Sequence, residues 1–94
     1  MKVIIHTILG LRDAIGAGRV EMEIPDGSTT AHLISSMVEI WGDKISPFLF
    51  DEGGHIHPYI RIMVNGRQIK VREISETYLK EADEITIIPF AAGG

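Results

Sequence analysis

The sequence contains no cysteine, which excludes disulfide bonds, a cysteine nucleophile and thiolate metal ligation, and which makes a reducing cytoplasm the expected location. Aromatic residues are scarce as well, with one tryptophan, two tyrosines and three phenylalanines. No apolar stretch is long enough to span a membrane, and the apolar start of the chain is too short for a signal sequence. We therefore expect a cytoplasmic domain with no membrane partner.

Basic residues are also few, since nine Lys and Arg stand against thirteen Asp and Glu and give a formal net charge of −4. This balance argues against nucleic acid, which is bound by clustered Lys and Arg, and fits docking to a basic partner surface. The sequence has no glycine-rich phosphate loop after a strand and no defensible Ser/His/Asp pattern. With 94 residues, 45% of them hydrophobic, we expect one globular domain over residues 1–94.

The first half of the chain predicts two strands and one long helix. The strands are Lys2 to Ile8 and Arg19 to Ile24, separated by a glycine-punctuated loop from Leu9 to Gly18. The hydroxyls of Ser28, Thr29 and Thr30 suit a helix start, and Gly42 suits its end. Between these signals, apolar residues recur at helical spacing and predict one buried face: Ile34, Met37, Val38 and Trp41.

The second half predicts the rest of a sheet. Residues 43–58 are irregular and suggest a small apolar hairpin or excursion, and residues 75–79 suggest a single helical turn. Asn65-Gly66 is a preferred hairpin turn between strands at residues 59–64 and 67–71. The last strand, residues 85–90, is apolar almost throughout, which is typical of a central strand covered on both faces. This order indicates an α+β fold of the β-grasp type, with a mixed sheet of about five strands under one main helix.

The chain then ends in small residues, Ala91, Ala92, Gly93 and Gly94, directly after the apolar strand. Glycine has no Cβ, so a Gly-Gly end can enter a narrow channel and let another backbone approach closely. A frayed end or a cloning remnant is the simpler interpretation. Because a remnant would have no reason to follow a core strand without a linker, we favour a functional tail over residues 91–94, expected to be flexible.

Four segments together resemble the ubiquitin-related sulfur carriers: the small subunit of molybdopterin synthase, the thiamine-pathway sulfur carrier and the small archaeal modifiers. The segments are Pro25-Asp26-Gly27-Ser28-Thr29, Val64-Asn65-Gly66-Arg67, Leu79-Lys80-Glu81-Ala82-Asp83-Glu84-Ile85 and Ile88-Pro89-Phe90-Ala91-Ala92-Gly93-Gly94. The chain departs from the family pattern at Ala82, where glycine is usual, and at Phe90, where proline is usual. Residues 43–58 resemble the insert of the archaeal carriers.

The resemblance implies a carrier whose Gly94 carboxylate is adenylated and then converted to a thiocarboxylate for sulfur transfer. The implied partners are a ubiquitin-activating-type adenylyltransferase, which uses ATP and Mg²⁺, and the large subunit of molybdopterin synthase or another sulfur acceptor. The chain is then a carrier subunit and not itself an enzyme, and no cofactor is expected on it. The residues expected to contact the partners are those before the carboxylate: Phe90, Ala91, Ala92 and Gly93.

Other functions remain open from the sequence. The same activated Gly94 would serve a protein modifier joined to target lysines, or a sulfur carrier for thiamine or tRNA thiolation; a plain interaction module is a third class. His55 and His57 would share a face of a strand, but no cysteine or suitably spaced carboxylate stands beside them, so no metal site is expected. The acidic run from Glu73 to Glu84 fits a solvated loop or a docking patch equally well.

Overall fold

The computed structural model describes residues 1–89. Over these residues the chain forms strands and helices in the order β1 Lys2–Thr7, α1 Leu9–Ile15, β2 Arg19–Glu23, α2 Thr30–Trp41, α3 Ser46–Leu49, β3 Arg61–Val64, β4 Arg67–Ile69 and β5 Glu84–Ile88. Short 3₁₀ turns at Gly42–Lys44 and Val71–Glu73 complete the regular structure of this part of the chain. None of its helices is both long enough and apolar enough to cross a membrane.

The five strands form one mixed sheet in the order β2-β1-β5-β3-β4. β1 and β5 are parallel, and the other neighbouring strands are antiparallel. Alternate side chains of the strands point to one face, where they form the core with the apolar stripe of α2. Val3 and Ile5 of β1 and Leu33 and Met37 of α2 are fully buried in this core. The predicted α+β plan, a mixed sheet under one main helix, is confirmed.

The start of α2 is fixed by a reciprocal cap. The Thr29 hydroxyl accepts a hydrogen bond from the backbone N–H of His32 at 3.3 Å, and His32 Nδ1 accepts one from the N–H of Thr29 at 3.0 Å. Each bond satisfies a backbone donor that has no partner within the helix. The buried stripe of the helix begins directly after the cap, with Leu33 and Ile34. The predicted hydroxyl cap is therefore confirmed, and His32 has a structural role in it.

Three local predictions are wrong. The predicted loop from Leu9 to Gly18 contains the helix α1. No helix forms over residues 75–79, where a hydrogen-bonded turn through Glu76 is followed by an extended stretch in which Tyr78 pairs with Thr29. The strand predicted over residues 67–71 ends at Ile69, because a 3₁₀ turn begins at Val71. Within residues 43–58, Phe50 pairs with Ile56, as a small hairpin would, but the segment begins with the unpredicted helix α3.

The chain's amino group holds the start of β1 against the end of β2. The Met1 ammonium donates a hydrogen bond to the Ile24 carbonyl at 2.8 Å and lies 3.2 Å from Asp26 Oδ1 and 3.7 Å from Glu23 Oε2. The hydrogen-bonded Asp26 carboxylate raises the pKa of this ammonium above its ordinary value of 8.0, and partial desolvation opposes the effect. A group whose pKa is raised on folding stabilises the fold while it is protonated.

Acetylating the Met1 amine is therefore expected to lower the melting temperature at neutral pH. The stabilisation is fully present below the ordinary pKa and disappears as pH rises through the raised value, so the melting temperatures of the two forms should converge above it. Thermal unfolding of the free and acetylated proteins from about pH 6 to about pH 10 measures this difference. In Asp26→Asn the difference should shrink at every pH below the raised value. A constant gap between the two forms across the pH range would contradict a role for the charge.

Candidate functional site

The five residues predicted to act on partners lie outside the described part of the chain: Phe90, Ala91, Ala92, Gly93 and Gly94. The structure does describe the strand that leads into them, β5, and the buried residue that follows it, Pro89. The position of the predicted site is therefore given by the point at which the chain leaves the sheet. We call this point the strand exit and define it by Ile88 and Pro89.

Neighbours on both sides fix the strand exit in space. β5 pairs in parallel with β1, with Thr7 opposite Ile87, and antiparallel with β3, with Arg61 opposite Ile88. Its inward side chains, Ile85 and Ile87, are fully buried. A strand with a ladder on each side and a buried face cannot slip without exposing its apolar set. The prediction that the last strand is central is confirmed, but the prediction that both its faces are covered is wrong, because its outward residues are exposed or only partly buried.

Exposed apolar side chains border the strand exit on both sides. Because Thr7 lies opposite Ile87, Ile8 and Leu9 follow at the level of the strand exit; Tyr59 lies on the other side, in the turn that enters β3. Leu9 is 60% exposed, Tyr59 72% and Ile8 38%. We call Ile8, Leu9 and Tyr59 the exit rim. The only other large hydrophobic side chains of residues 1–89 that are similarly exposed are Ile40 and Tyr78.

Leu9 has an unfavourable backbone conformation, with φ of 55°. For a residue with a Cβ the left-handed region costs about 1–2 kcal/mol. The next residue, Gly10, is tightly packed, since a Cβ there would lie 2.4 Å from Cε1 of Phe48. The start of α1 is thus pressed against the aromatic ring, and the chain turns sharply at Leu9. The strained residue is nevertheless exposed, so burial of its own side chain does not explain it.

Ion pairs occupy the sheet face opposite α2. His6 Nε2 lies 2.7 Å from Glu84 Oε1, and Glu21 lies 3.2 Å from both Lys2 Nζ and Arg19 Nη1. The hydrogen bond from Lys2, followed by that from Arg19, lowers the pKa of the Glu21 carboxyl below its ordinary value of 4.5. Its contribution to stability is present above that value and is lost as pH falls through the lowered pKa. Paired surface groups of this kind are typical of a solvated face rather than of acid–base catalysis.

The two histidines of the insert have separate neighbours. His55 Nδ1 lies 3.8 Å from Asp51 Oδ1, whereas the ring of His57 packs at 5.5 Å between centroids from the ring of Tyr59. Within residues 1–89 no three His, Cys, Asp or Glu side chains are grouped so that they could hold a metal ion. His57 thus packs against Tyr59 of the exit rim.

The acidic run is mostly engaged in local structure. Glu73 accepts a hydrogen bond from the N–H of Lys70, and Glu81 accepts one from the N–H of Lys2. Asp83 accepts from the side chain of Asn65 and from the N–H of Lys80. Glu84 pairs with His6, as described above. These bonds favour the interpretation of the run as a solvated structural loop.

The described residues thus supply the strand that leads into the tail. The structure adds the exit rim, which the sequence did not reveal. Leu9 lies in a segment predicted as a loop, and Tyr59 at the start of a predicted strand. Neither position carries a sequence signal for exposure, because exposure depends on which residues the folded sheet brings to one edge.

Comparison with known proteins gives a consistent result. A sequence model of the ThiS family matches residues 10–94 of the chain. The chain is 33% identical over 81 residues to a protein of Archaeoglobus fulgidus named as a candidate sulfur carrier protein, and this match covers 86% of the chain and 90% of the relative.

Solved structures show the same fold. The small archaeal modifier protein SAMP1 of Methanosarcina acetivorans superimposes with a TM-score of 0.79 at 26% identity, over 99% of this chain and 96% of that one. A Pyrococcus furiosus protein, named as a candidate molybdopterin converting factor subunit 1, superimposes with a TM-score of 0.73 at 25% identity, over 95% of this chain and 97% of that one. The fold is the β-grasp, as the element order predicts.

Proposed function

The chain belongs to the ThiS family of ubiquitin-like sulfur carriers and modifiers, and from this premise we propose that it carries sulfur as a thiocarboxylate on Gly94. The observation that carries the proposal is a sequence feature in its structural context. A buried central strand, held by a ladder on each side, ends at Ile88, and only four residues separate it from a terminal Gly-Gly. Such a domain carries its carboxylate only a few residues from a well-packed strand.

The chemistry has two steps, both at the Gly94 carboxyl carbon. A carboxylate is a poor electrophile, so an activating enzyme first uses MgATP to form the acyl-adenylate and release pyrophosphate. Bisulfide can then form the C–S bond while the bond to AMP breaks, which gives the thiocarboxylate. If a persulfide attacks instead, an acyl disulfide forms, and a second thiol must reduce its S–S bond. The chain supplies the carboxylate, and the enzyme supplies the nucleotide, Mg²⁺ and sulfur donor.

Within this class we favour the small subunit of molybdopterin synthase, with its large subunit as the acceptor of the sulfur. The similarity to the Pyrococcus furiosus protein named for molybdopterin conversion supports this choice. Carriers for thiamine or tRNA thiolation use the same activated carboxyl and differ only in the acceptor. The absence of cysteine suits a reducing cytoplasm, where we place this chemistry.

The second candidate is a protein modifier, in which a lysine amine attacks the same adenylate and forms an isopeptide bond. The similarity to the modifier SAMP1 of Methanosarcina acetivorans favours it. The two candidates share the activating step and separate at the nucleophile. A plain interaction module would require neither the activating step nor a nucleophile.

Intact mass spectrometry of the protein purified from its native host tests these candidates. We expect a species heavier by the difference between sulfur and oxygen, which disappears on treatment with an alkylating agent that reacts with the thiocarboxylate. Branched peptides linked through Gly94 to lysines of other proteins would favour the modifier. If neither species forms when the activating enzyme and MgATP are present, the carrier proposal is wrong and the interaction module gains.

A further inference from the structure

Any enzyme that acts on the Gly94 carboxyl has to come close to the strand exit. Five residues follow Pro89 in the sequence, and a fully extended chain of that length reaches at most about 17 Å. An active site that encloses the carboxyl and the preceding glycines therefore lies within this distance of the sheet edge. The protein surface around such an active site therefore lies within reach of the residues that border the strand exit.

The exit rim is the exposed apolar surface beside the strand exit. Leu9 borders the strand exit on the β1 side and Tyr59 on the β3 side, and both side chains are more than half exposed. Tyr59 is held by ring packing on His57 and by the hydrogen bond from its N–H to His57 Nδ1. Large apolar side chains around a point of insertion, fixed in position before binding, are typical of interface anchors.

The strained backbone of Leu9 also supports a role for the exit rim in binding a partner. Its positive φ disfavours leucine and is tolerated far better by asparagine or glycine. A strained residue that persists on the surface, where its side chain gains little from burial, is more readily explained by a contact outside the folded chain than by stability. Leu9 and Tyr59 thus carry independent indications, one from the backbone and one from the side chain.

We propose that the exit rim of Ile8, Leu9 and Tyr59 is the docking surface for the ATP-dependent activating enzyme, which meets it with an apolar patch around its tail channel. The inference rests on the proposed function and adds the contact residues to it. The activating enzyme is the partner chosen because the carrier and the modifier both require it, whereas they differ in their acceptors. Binding at the rim places the tail at the channel and contributes affinity rather than chemistry.

The test uses MgATP–pyrophosphate exchange by the activating enzyme of the native host, with the full-length chain as the varied substrate. Leu9→Asn keeps a residue that tolerates positive φ but removes the apolar contact, and we expect its KM to rise about fivefold to thirtyfold with kcat unchanged. The melting temperature of this variant should be equal to or higher than that of the original protein. Leu9→Met, which retains an apolar side chain, should keep the original KM.

The two exposed tyrosines provide a matched control. Tyr59 in the exit rim is 72% exposed, and Tyr78, which pairs with Thr29 ahead of the start of β5, is 67% exposed. Tyr59→Ala should raise KM by the same fivefold to thirtyfold, whereas Tyr78→Ala should change it by less than about twofold. Circular dichroism and thermal unfolding of both variants report whether the fold is kept.

The outcomes separate this inference from the proposal beneath it. If the original chain supports exchange but KM is unchanged in Leu9→Asn and Tyr59→Ala, the exit rim is not the docking surface, and the proposed carrier function is unaffected. An equal loss in Tyr78→Ala would also overturn the exit rim, because the effect would not be local. A fall in the melting temperature of Leu9→Asn that matches its loss of exchange would assign Leu9 to stability instead. If the original chain itself supports no exchange, the proposed function is wrong, and the docking role of the exit rim, which rests on it, is wrong as well.

Discussion

Removing Gly93 and Gly94, or adding a single residue after Gly94, is expected to abolish activation and sulfur transfer while leaving the fold intact. The addition turns the reacting carboxylate into an amide, which cannot attack ATP, and the deletion places the new terminus two residues short of its former reach. The described core explains the intact fold, because its buried hydrophobic side chains run from Val3 to Ile87 and β5 ends its pairing at Ile88. Residues at chain ends beyond the last pairing contribute little to stability.

The measurement combines MgATP–pyrophosphate exchange with thermal unfolding. Exchange should fall to the level of the enzyme alone in both variants, and the melting temperatures should stay within about 2 °C of the original, the usual range for a surface change. A suitable control is Gly54→Ala, which alters a glycine of positive φ in the insert and not the tail. It should unfold at a lower temperature and retain exchange. Truncation that lowers the melting temperature more than this control would make the tail structural and remove the main support for the carrier.

Local signals in the sequence predicted several elements correctly. Asn65 and Gly66 have φ of 52° and 82°, as the predicted hairpin turn requires of both. Ala82 has φ of 67°, so an alanine occupies a position suited to the glycine that is usual in the family, at the expected cost of about 1 kcal/mol. Turns and caps of this kind are set by residues a few positions apart, which makes them readable from sequence.

Helix α1 was not predicted because the reason for one of its glycines is a tertiary contact. Gly10, Gly16 and Gly18 punctuate its sequence and favour a loop. Gly10 is required by close packing instead, because any Cβ there would collide with Phe48, a residue of α3 that is distant in sequence. Gly16 is the left-handed residue that ends the helix, with φ of 88°. A contact between residues 10 and 48 cannot be inferred from the spacing of either segment alone.

One part of the candidate site can be predicted from the sequence, and the other part depends on the folded structure. Its chemical part, the terminal Gly-Gly, is visible in the sequence because it depends on residue identity at one place. Its docking part, the exit rim, combines Leu9 and Tyr59, which the pairing of β5 with both β1 and β3 brings to one edge. Sequence reasoning chose Phe90 as the partner contact and did not find these two. The prediction for Phe90 stays a prediction, since that residue lies outside the described part of the chain.

The two parts of the site should also separate in kinetics. Contacts at the exit rim form in the ground-state complex and persist through the reaction, so their loss raises KM with little change in kcat. The glycines before the carboxylate act where bonds form and break, so their alteration should lower kcat. A carrier built this way uses the folded surface for recognition and the tail for placement of the reacting carbon.

Replacing Gly93 with valine is accordingly expected to lower kcat for exchange by about a hundredfold while KM changes little. The carboxyl of Gly94 must be placed against the α-phosphate of ATP, and a displacement of about 1 Å at a reacting centre costs on the order of a hundredfold in rate. Valine excludes backbone angles open to glycine, and its branched side chain widens the tail next to the reacting residue. Docking at the exit rim involves none of these atoms, so binding should survive.

The effect of side-chain bulk can be graded within the tail itself. Gly93→Ala adds one methyl group and should fall between the original chain and Gly93→Val, whereas Ala91→Val adds comparable bulk two residues further from the carboxyl and should cost much less. Binding of each variant to the activating enzyme, titrated without ATP, separates docking from chemistry. Equal kcat for Gly93→Val and the original chain would mean that no narrow channel encloses the tail, and the functional interpretation of the Gly-Gly end would then rest on the free carboxylate alone.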